Sequence, residues 1–441
     1  MEWLIAESID FLILMQDFLD SKEILGIILL ILPLLLIDIP RYLIAKLVYV
    51  FFKQEKSEMK YRQFRSEART LLFSENPLVT VLIPVLNEES TIGNTIRSLQ
   101  EQTFSNLEII ITDDDSQDKT YQICREFAKR GEIKLIRNNP RGGKSAALNH
   151  AFTMATGKYV VVIDSDTLFK RDAIENLLLP FHDEDIGAVG GNLRILNGRF
   201  NVLAALQNLE YLISISAGRR IRASVDSLYI ISGAFGAYRY DLLKSIKGYS
   251  VGPGEDSDAT AKIRKKHYRI SFAPEAICYT KVPTSYFAFI KQRFRWNTST
   301  IKIKLKKHSN ILNPTWDIFS FPNALGWLDV IFFQVVVTFS FIFYIVFTFE
   351  YFSNTIFIVL FIVIHLMYIL ITYIETFIAW ALSGRQTEDV HLYLYVPLYP
   401  FYKAYFLKLI RLSAYLGEVS FKASYSLDFV PKRVRKKAER W

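Results

Sequence analysis

Three acidic clusters and one basic aromatic stretch carry the chemistry this sequence can do. Asp164-Ser165-Asp166 sets two carboxylates close together. Hard oxygen ligands of this kind hold Mg2+ or Mn2+ through few contacts while the phosphates of a substrate complete the shell, and such a cation neutralises charge developing on a diphosphate leaving group. Asp113-Asp114-Asp115-Ser116 can accept hydrogen bonds from a nucleobase or ribose; the alternative is a turn or helix cap. Glu255-Asp256-Ser257-Asp258 follows Gly252-Pro253-Gly254. A carboxylate there can take a proton from an attacking hydroxyl, although acids at a helix start are also favoured by the helix dipole. Ile290-Lys291-Gln292-Arg293-Phe294-Arg295-Trp296 gathers an amide, two guanidinium groups and an indole within about one and a half helical turns. That set can bind a polyphosphate and offer a flat apolar face beside it; its alternative is an amphipathic helix on anionic lipid. Lys144, after Gly142-Gly143, can meet a phosphate, but Gly-Gly-Lys falls short of the Walker A pattern, which argues against an ATPase.

The elements around these residues alternate. Val79 to Val85 is a β-rich run ending at Asn87-Glu88-Glu89, and Ile92, Ile96 and Leu99 then recur at helical spacing. Leu107 to Thr112 ends at the Asp113 cluster, Ile133 to Ile136 is a third strand, and Tyr159 to Ile163 ends at Asp164. Strand, polar end and helix in repetition predict an α/β domain with a largely parallel sheet. Polar residues at successive carboxyl ends of parallel strands face one crevice. Leu203 to Ile213 reads as a helix carrying Gln207, Glu210 and Tyr211, and Ser232 to Ala237 is a small-residue segment open to close approach.

Composition sets the surroundings. The 441 residues are 51% hydrophobic and 15% aromatic, apolar for a purely soluble chain. The net charge of +9 comes with basic residues beside apolar runs and no nucleic-acid-binding signature, so lipid headgroups rather than nucleic acid are the expected anionic partner. Cys124 and Cys278 have no metal-ligand or redox spacing, which gives neither a zinc site nor a disulfide any support. Residues 1–53 predict an interfacial helix and a first span from Ile24 to Phe52, with the acidic start arguing against a cleaved signal peptide. Val330 to Phe349 and Ile356 to Ile374 predict two more spans. Lysines and arginines after the first span, and in the tail from Lys432 to Arg440, put residues 54–326 and the tail in the cytoplasm, with 350–355 outside. The divisions expected are a juxtamembrane linker or surface helix at 54–76, a catalytic domain at 77–300, an interfacial segment at 301–327, two membrane helices at 328–382, and interfacial helices with the basic tail at 383–441. His365 and Glu375 in or near the third span are costly there, and helix-facing hydrogen bonds are their expected role.

Taken in order, Thr80-Val-Leu-Ile-Pro-Val-Leu-Asn-Glu88, Asp113-Asp114-Asp115-Ser116, Gly143-Lys-Ser-Ala-Ala-Leu-Asn149, Asp164-Ser-Asp166, Gly254-Glu-Asp256 and Gln292-Arg-Phe-Arg-Trp296 resemble the processive membrane family-two glycosyltransferases. Synthases of poly-N-acetylglucosamine, hyaluronan, chitin oligosaccharides and cellulose belong to that group. The resemblance covers residues 78 to 300 by motif. It implies a GT-A (Rossmann-like) α/β catalytic domain flanked by transmembrane helices, a UDP-sugar donor, Mg2+ or Mn2+, and inversion at the anomeric carbon. Carried over, it puts Asn87, Glu88, Asp113 and Lys144 on the uridine part, Asp164 and Asp166 on the metal and diphosphate, and Asp256 as base. Gln292 and Arg295 hold the diphosphate, Trp296 stacks beneath the acceptor sugar, and Asp114 and Glu255 join the substrate-binding residues. Two positions depart from the group: Asp115 stands where glycine is common, and Gly254 where threonine often precedes the Glu-Asp pair. A cyclic-dinucleotide-binding module is not visible in the C-terminal part. The expected activity is polymerisation of a β-linked glycan, from UDP-N-acetylglucosamine by analogy, with export across the plasma membrane. Growing glycan, membrane lipids and an accessory export subunit are the expected partners. Transfer of one sugar to a lipid acceptor is the alternative, and an inactive scaffold or export partner a third reading that the intact acids argue against.

Overall fold

Apolar runs of β-branched residues must be buried on both faces, and the chain obeys this in its first half. Val79–Val85, Leu107–Asp113, Lys134–Arg137 and Tyr159–Ile163 form β1 to β4. The two-residue period of a strand sends alternate side chains to opposite layers. Val81, Ile83, Ile109, Ile111, Val161 and Ile163 enter one core, while Leu82, Ile110, Val160 and Val162 enter the other. Helices Ile92–Gln100, Thr120–Lys129 and Lys144–Phe152 link these strands, which pair in parallel.

The structure, a computed structural model, describes residues 45–48, 54–250, 252, 254–384 and 386–421. The predicted N-terminal interfacial helix, most of the first predicted span and the basic tail lie outside the described residues.

Four strands beyond the predicted ones complete the sheet: β5 Leu168–Phe169, β6 Ile186–Ile195, β7 Phe235–Arg239 and β8 Arg269–Thr280. The order is β3-β2-β1-β4-β7-β6-β8-β5. The expectation of a largely parallel sheet is met in part, since β1 to β4 pair in parallel but the sheet as a whole is mixed. β7 runs antiparallel to β4 and β6, β5 runs antiparallel to β8, and β6 and β8 are parallel. β6 escapes a sequence reading because Gly187, Gly190 and Gly191 weaken its strand pattern. Gly191 has a packing reason: a Cβ there would lie 2.1 Å from the Phe235 ring.

Two apolar helices, Phe321–Glu350 and Thr355–Leu382, are long and apolar enough to cross a membrane, and each extends beyond the predicted span. His365 is satisfied by the Phe361 carbonyl at 2.6 Å and the Tyr405 hydroxyl at 2.9 Å, and Glu375 pairs with Lys46. The 54–76 segment is a helix, Gln54–Glu75, whose Ala68 and Leu72 are buried and whose Arg69 Nε meets Glu175 at 2.6 Å. The segment after Leu382 is not merely interfacial. Leu392, Val396, Tyr399 and Tyr402 share a core with Leu203, Leu206, Leu209 and Phe289, and Arg194 holds Asp389 at 3.1 Å. Apolar residues that read as membrane-surface helices thus brace the wall of the α/β half.

Candidate active site

Parallel strands that end together deliver their next residues to one place, and here the loops after β1, β2 and β4 open on a cavity of about 730 Å3. Asp114 accepts hydrogen bonds from the amides of Gly142 and Gly143, both at 2.7 Å, and from Asn138 Nδ2 at 2.9 Å. It thereby fixes the turn from which helix Lys144–Phe152 starts, with Gly143 at φ 88° as its N-cap. Lys144 Nζ reaches Asp164 Oδ1 at 2.6 Å and Glu255 Oε1 at 3.5 Å. Burial opposes the charge on Lys144, but Asp164, Glu255 and Asp256 outweigh it and hold the ammonium above the usual lysine range. Among the described residues Asp166 has no ion-pair partner of this kind. Burial first, then the negative charges of Asp164 and Glu88, push its carboxyl up to about 6.

The opposite wall is built by helices Glu255–Arg264 and Tyr286–Thr300. Gly254, at φ 86°, caps the first of them, and a Cβ there would sit 2.9 Å from Ser299 Cβ, so its glycine lets the two helices meet. Asp256 accepts from the Ser257 amide at 2.7 Å and the Gly233 amide at 3.2 Å. Gln292, Arg295 and Trp296 line the cavity from the second helix, and Gln292 Oε1 is buried without a hydrogen-bond partner among the described residues. Arg293 turns away from any polyphosphate role. Its guanidinium makes two 2.8 Å bonds to Glu210, which also accepts from the Tyr402 hydroxyl at 2.8 Å, and it stacks 4.6 Å from the Trp296 ring centroid.

Of the residues singled out by sequence, Glu88, Asp114, Lys144, Asp164, Asp166, Glu255, Asp256, Gln292, Arg295 and Trp296 share this cavity. Asn87 and Asp113 are not among its lining residues. Asn87 Oδ1 accepts from the Gln117 amide at 2.8 Å, and the fully buried Asp113 is paired with Arg137 Nε at 3.1 Å. Asp115, where glycine is common in the resembled group, takes φ 70°, the left-handed region that glycine enters without steric cost. Among the described residues no group of three or more His, Cys, Asp or Glu side chains is arranged to hold a metal ion.

Residues 80–247 match the family model for glycosyl transferase family 2. The matched segment runs from β1 to the end of β7 and its following helix, and holds the loops after β1, β2 and β4. A poly-beta-1,6-N-acetyl-D-glucosamine synthase of Staphylococcus epidermidis is 30% identical to it over 257 residues, 58% of this chain and 61% of that protein. A namesake in Staphylococcus aureus strain COL is 28% identical over the same shares. The chain thus spans about three-fifths (61%) of the length of the curated relatives it matches. A solved mannosyltransferase from Pyrobaculum calidifontis, in complex with GDP-Man and Mn2+, shares the fold at 19% identity, with a TM-score of 0.55, covering 81% of this chain and 96% of its own. The α/β half of the chain therefore has the GT-A-like fold of glycosyltransferases.

The family match stops before Glu255 and the Gln292–Trp296 stretch, so that wall of the cavity stands on geometry. Asp258, an alternative base from sequence, is fully buried, and His308 Nε2, Lys307 Nζ and Lys262 Nζ surround it at 2.8, 2.7 and 2.9 Å. Burial opposes its ionisation, but His308 and the lysines hold the carboxyl well below the usual range. It ties the helix to the 301–312 segment and does not line the cavity. Sequence reasoning missed Arg219, Lys304 and Arg411, which do line it. Lys304, within the expected interfacial segment at 301–327, is buried, with its ammonium 3.5 Å from the Tyr229 ring centroid. Glu210→Ala strips the buried Arg293 of its carboxylate and is expected to cost the transferase about 3 kcal/mol or more, read as a lowered denaturant midpoint.

Proposed function

We propose that this chain polymerises a β-linked glycan from a UDP-sugar, with UDP-N-acetylglucosamine as the donor, and passes the product through its membrane helices. The observation that carries the reading is a single cavity running from the Asp164–Asp166 pair past Asp256 and Trp296 to Gln334 on the first apolar helix. A donor held at one end leaves its acceptor facing the membrane part. The Staphylococcus relatives support the sugar and the polymer.

The geometry supports a division of labour. Glu88 and Lys144 lie where the nucleotide end of the donor would rest, with Asn87 and Asp113 shaping the wall behind. Asp164 and Asp166 suit Mg2+ or Mn2+: they are two hard ligands crowded with Glu88, with negative charge in excess, and such cations bind through one or two carboxylates while substrate phosphates fill the shell. When bound, the cation neutralises charge on the departing diphosphate. Lys144, now on Asp164, is placed to share that anion, and Gln292 and Arg295 approach it from the opposite wall. The acceptor hydroxyl gives its proton to the Asp256 carboxylate as its oxygen bonds to the anomeric carbon; the carbon–phosphate oxygen bond breaks on the opposite face and UDP leaves, inverting the centre. Two backbone amides aim the Asp256 carboxylate. Trp296 offers the acceptor sugar a ring face.

The experiment is a donor-by-donor assay of nucleoside diphosphate release from the purified chain. UDP released from UDP-N-acetylglucosamine in excess over other UDP-sugars supports the assignment; release from GDP-mannose alone would defeat it. The cytoplasmic placement of the transferase domain predicts that a cysteine placed at Ser353, between the two apolar helices, is labelled from outside sealed cells and one at Ser116 is not. Cys124 and Cys278 are both buried and add little background. Labelling at Ser116 would reverse the topology.

A further inference from the structure

The cavity is lined by both acids and cations. Apart from Asp166, its acids are engaged: Asp164 and Glu255 by Lys144, Glu210 by Arg293 and Tyr402, Glu88 by the Thr91 hydroxyl, Asp114 and Asp256 by backbone amides. Arg219, Lys304 and Arg411 come from other segments, and among the described residues none of them has an ion pair with an acid. Arg219 Nη1 and Arg411 Nε are buried without a hydrogen-bond partner, and Lys304 is only 4% exposed. Burial foremost, then the charge of Arg222, pushes the Lys304 ammonium well below the usual lysine range. Asp329, on the first apolar helix, is engaged by Arg222 at 3.4 Å. Buried cations without counter-charges are costly, and an anion is what relieves them.

Their place in the fold is beside the membrane part. Lys304 lies over the ring of Tyr229, and its carbonyl accepts from the Trp327 indole at 3.3 Å. Tyr415, one turn along from Arg411, meets Phe339 at 6.3 Å. Both Trp327 and Phe339 belong to the first apolar helix. On that helix Leu325, Leu328, Phe332 and Val336 are exposed at spacings that share one face, an apolar track leading away from the cations.

We infer that this end of the cavity, walled by Arg219, Lys304 and Arg411, binds the phosphate of a membrane lipid whose acyl chains lie along that track. Two guanidinium forks and an ammonium suit a phosphate, and the adjoining apolar face suits a lipid rather than a soluble anion. This inference rests on the reading that the two apolar helices span a bilayer, but not on the identity of the sugar.

The test uses the full chain in detergent, with fluorescent phosphatidic acid as probe and UDP binding measured separately. The expected result is saturable lipid binding that weakens by about tenfold or more in Lys304→Gln and in Arg411→Gln, returns in Lys304→Arg, and is not displaced by UDP. UDP affinity should stay at the parent value in these variants, which also reports that they are folded. Displacement of the probe by inorganic phosphate as effectively as by unlabelled phosphatidic acid would overturn the lipid source and leave a free-phosphate site. Displacement by UDP, with UDP affinity lost in the variants, would overturn the inference by placing these cations on the donor. Equal lipid binding in parent and both variants would also overturn it. Absence of UDP binding with lipid binding intact would count against the proposed donor alone.

Discussion

Asp256→Asn is expected to keep UDP affinity within a few-fold of the parent while glycosyl transfer falls by roughly 10²–10⁴. The carboxylate is held by the amides of Ser257 and Gly233 rather than by a cation, so removing its charge disturbs no ion pair. What it loses is the ability to take a proton, needed only when the acceptor attacks. Glu255 offers no substitute: it is buried against Lys144, and burial foremost raises its carboxyl. Asp258 offers none either, since its carboxylate is buried beneath His308, Lys262 and Lys307. Arg295→Ala should differ by weakening UDP itself, and Trp296→Ala by weakening the acceptor. Calorimetry for UDP beside initial rates separates the three. Near-parent transfer by Asp256→Asn, or a loss of UDP binding as severe as in Asp166→Ala, would put the base elsewhere.

Asp166→Ala, and excess chelator on the parent, should each lower turnover by roughly 10²-fold or more, the scale of losing electrostatic stabilisation at a leaving group. Asp166 sits where burial, Asp164 and Glu88 all disfavour a further negative charge, while the Lys144 ammonium is bonded to Asp164. Such crowding gives a divalent cation something to neutralise. Restored rates on adding Mn2+ or Mg2+ back to the chelated parent, but not to the variant, complete the expected pattern. Full activity in chelator would remove the metal from the account.

Residues that read correctly from sequence are those where local pattern and tertiary role coincide. β1, β2 and β4 are short apolar runs ended by polar residues, and a strand buried on both faces looks like that in any fold. β6 and β7 were not legible, because glycines serving close packing, as at Gly191 beneath Phe235, resemble loop signals. Long-range pairing was equally hidden. Nothing local marks Glu210 as the partner of Arg293, so two guanidinium groups read as phosphate ligands when one is structural. Asp114 shows the same ambiguity resolved by geometry: its oxygens are taken by the Gly142 and Gly143 amides, the turn role weighed against a nucleotide contact. The inward lysine at 304 was missed because alternating lysines beside apolar runs read as a solvated membrane surface. The aromatic segment after Val390 misled likewise, since residues that suit a membrane interface also suit a protein core.

The central claim, polymerisation on a membrane-facing acceptor, is tested most directly by sizing the product. The chain in lipid vesicles, supplied with radiolabelled UDP-N-acetylglucosamine and Mg2+, should yield label in a high-molecular-mass glycan that a β-specific hexosaminidase degrades and that Asp256→Asn does not make. Label confined to one sugar on an organic-extractable lipid, with no polymer at any donor concentration, would contradict the account.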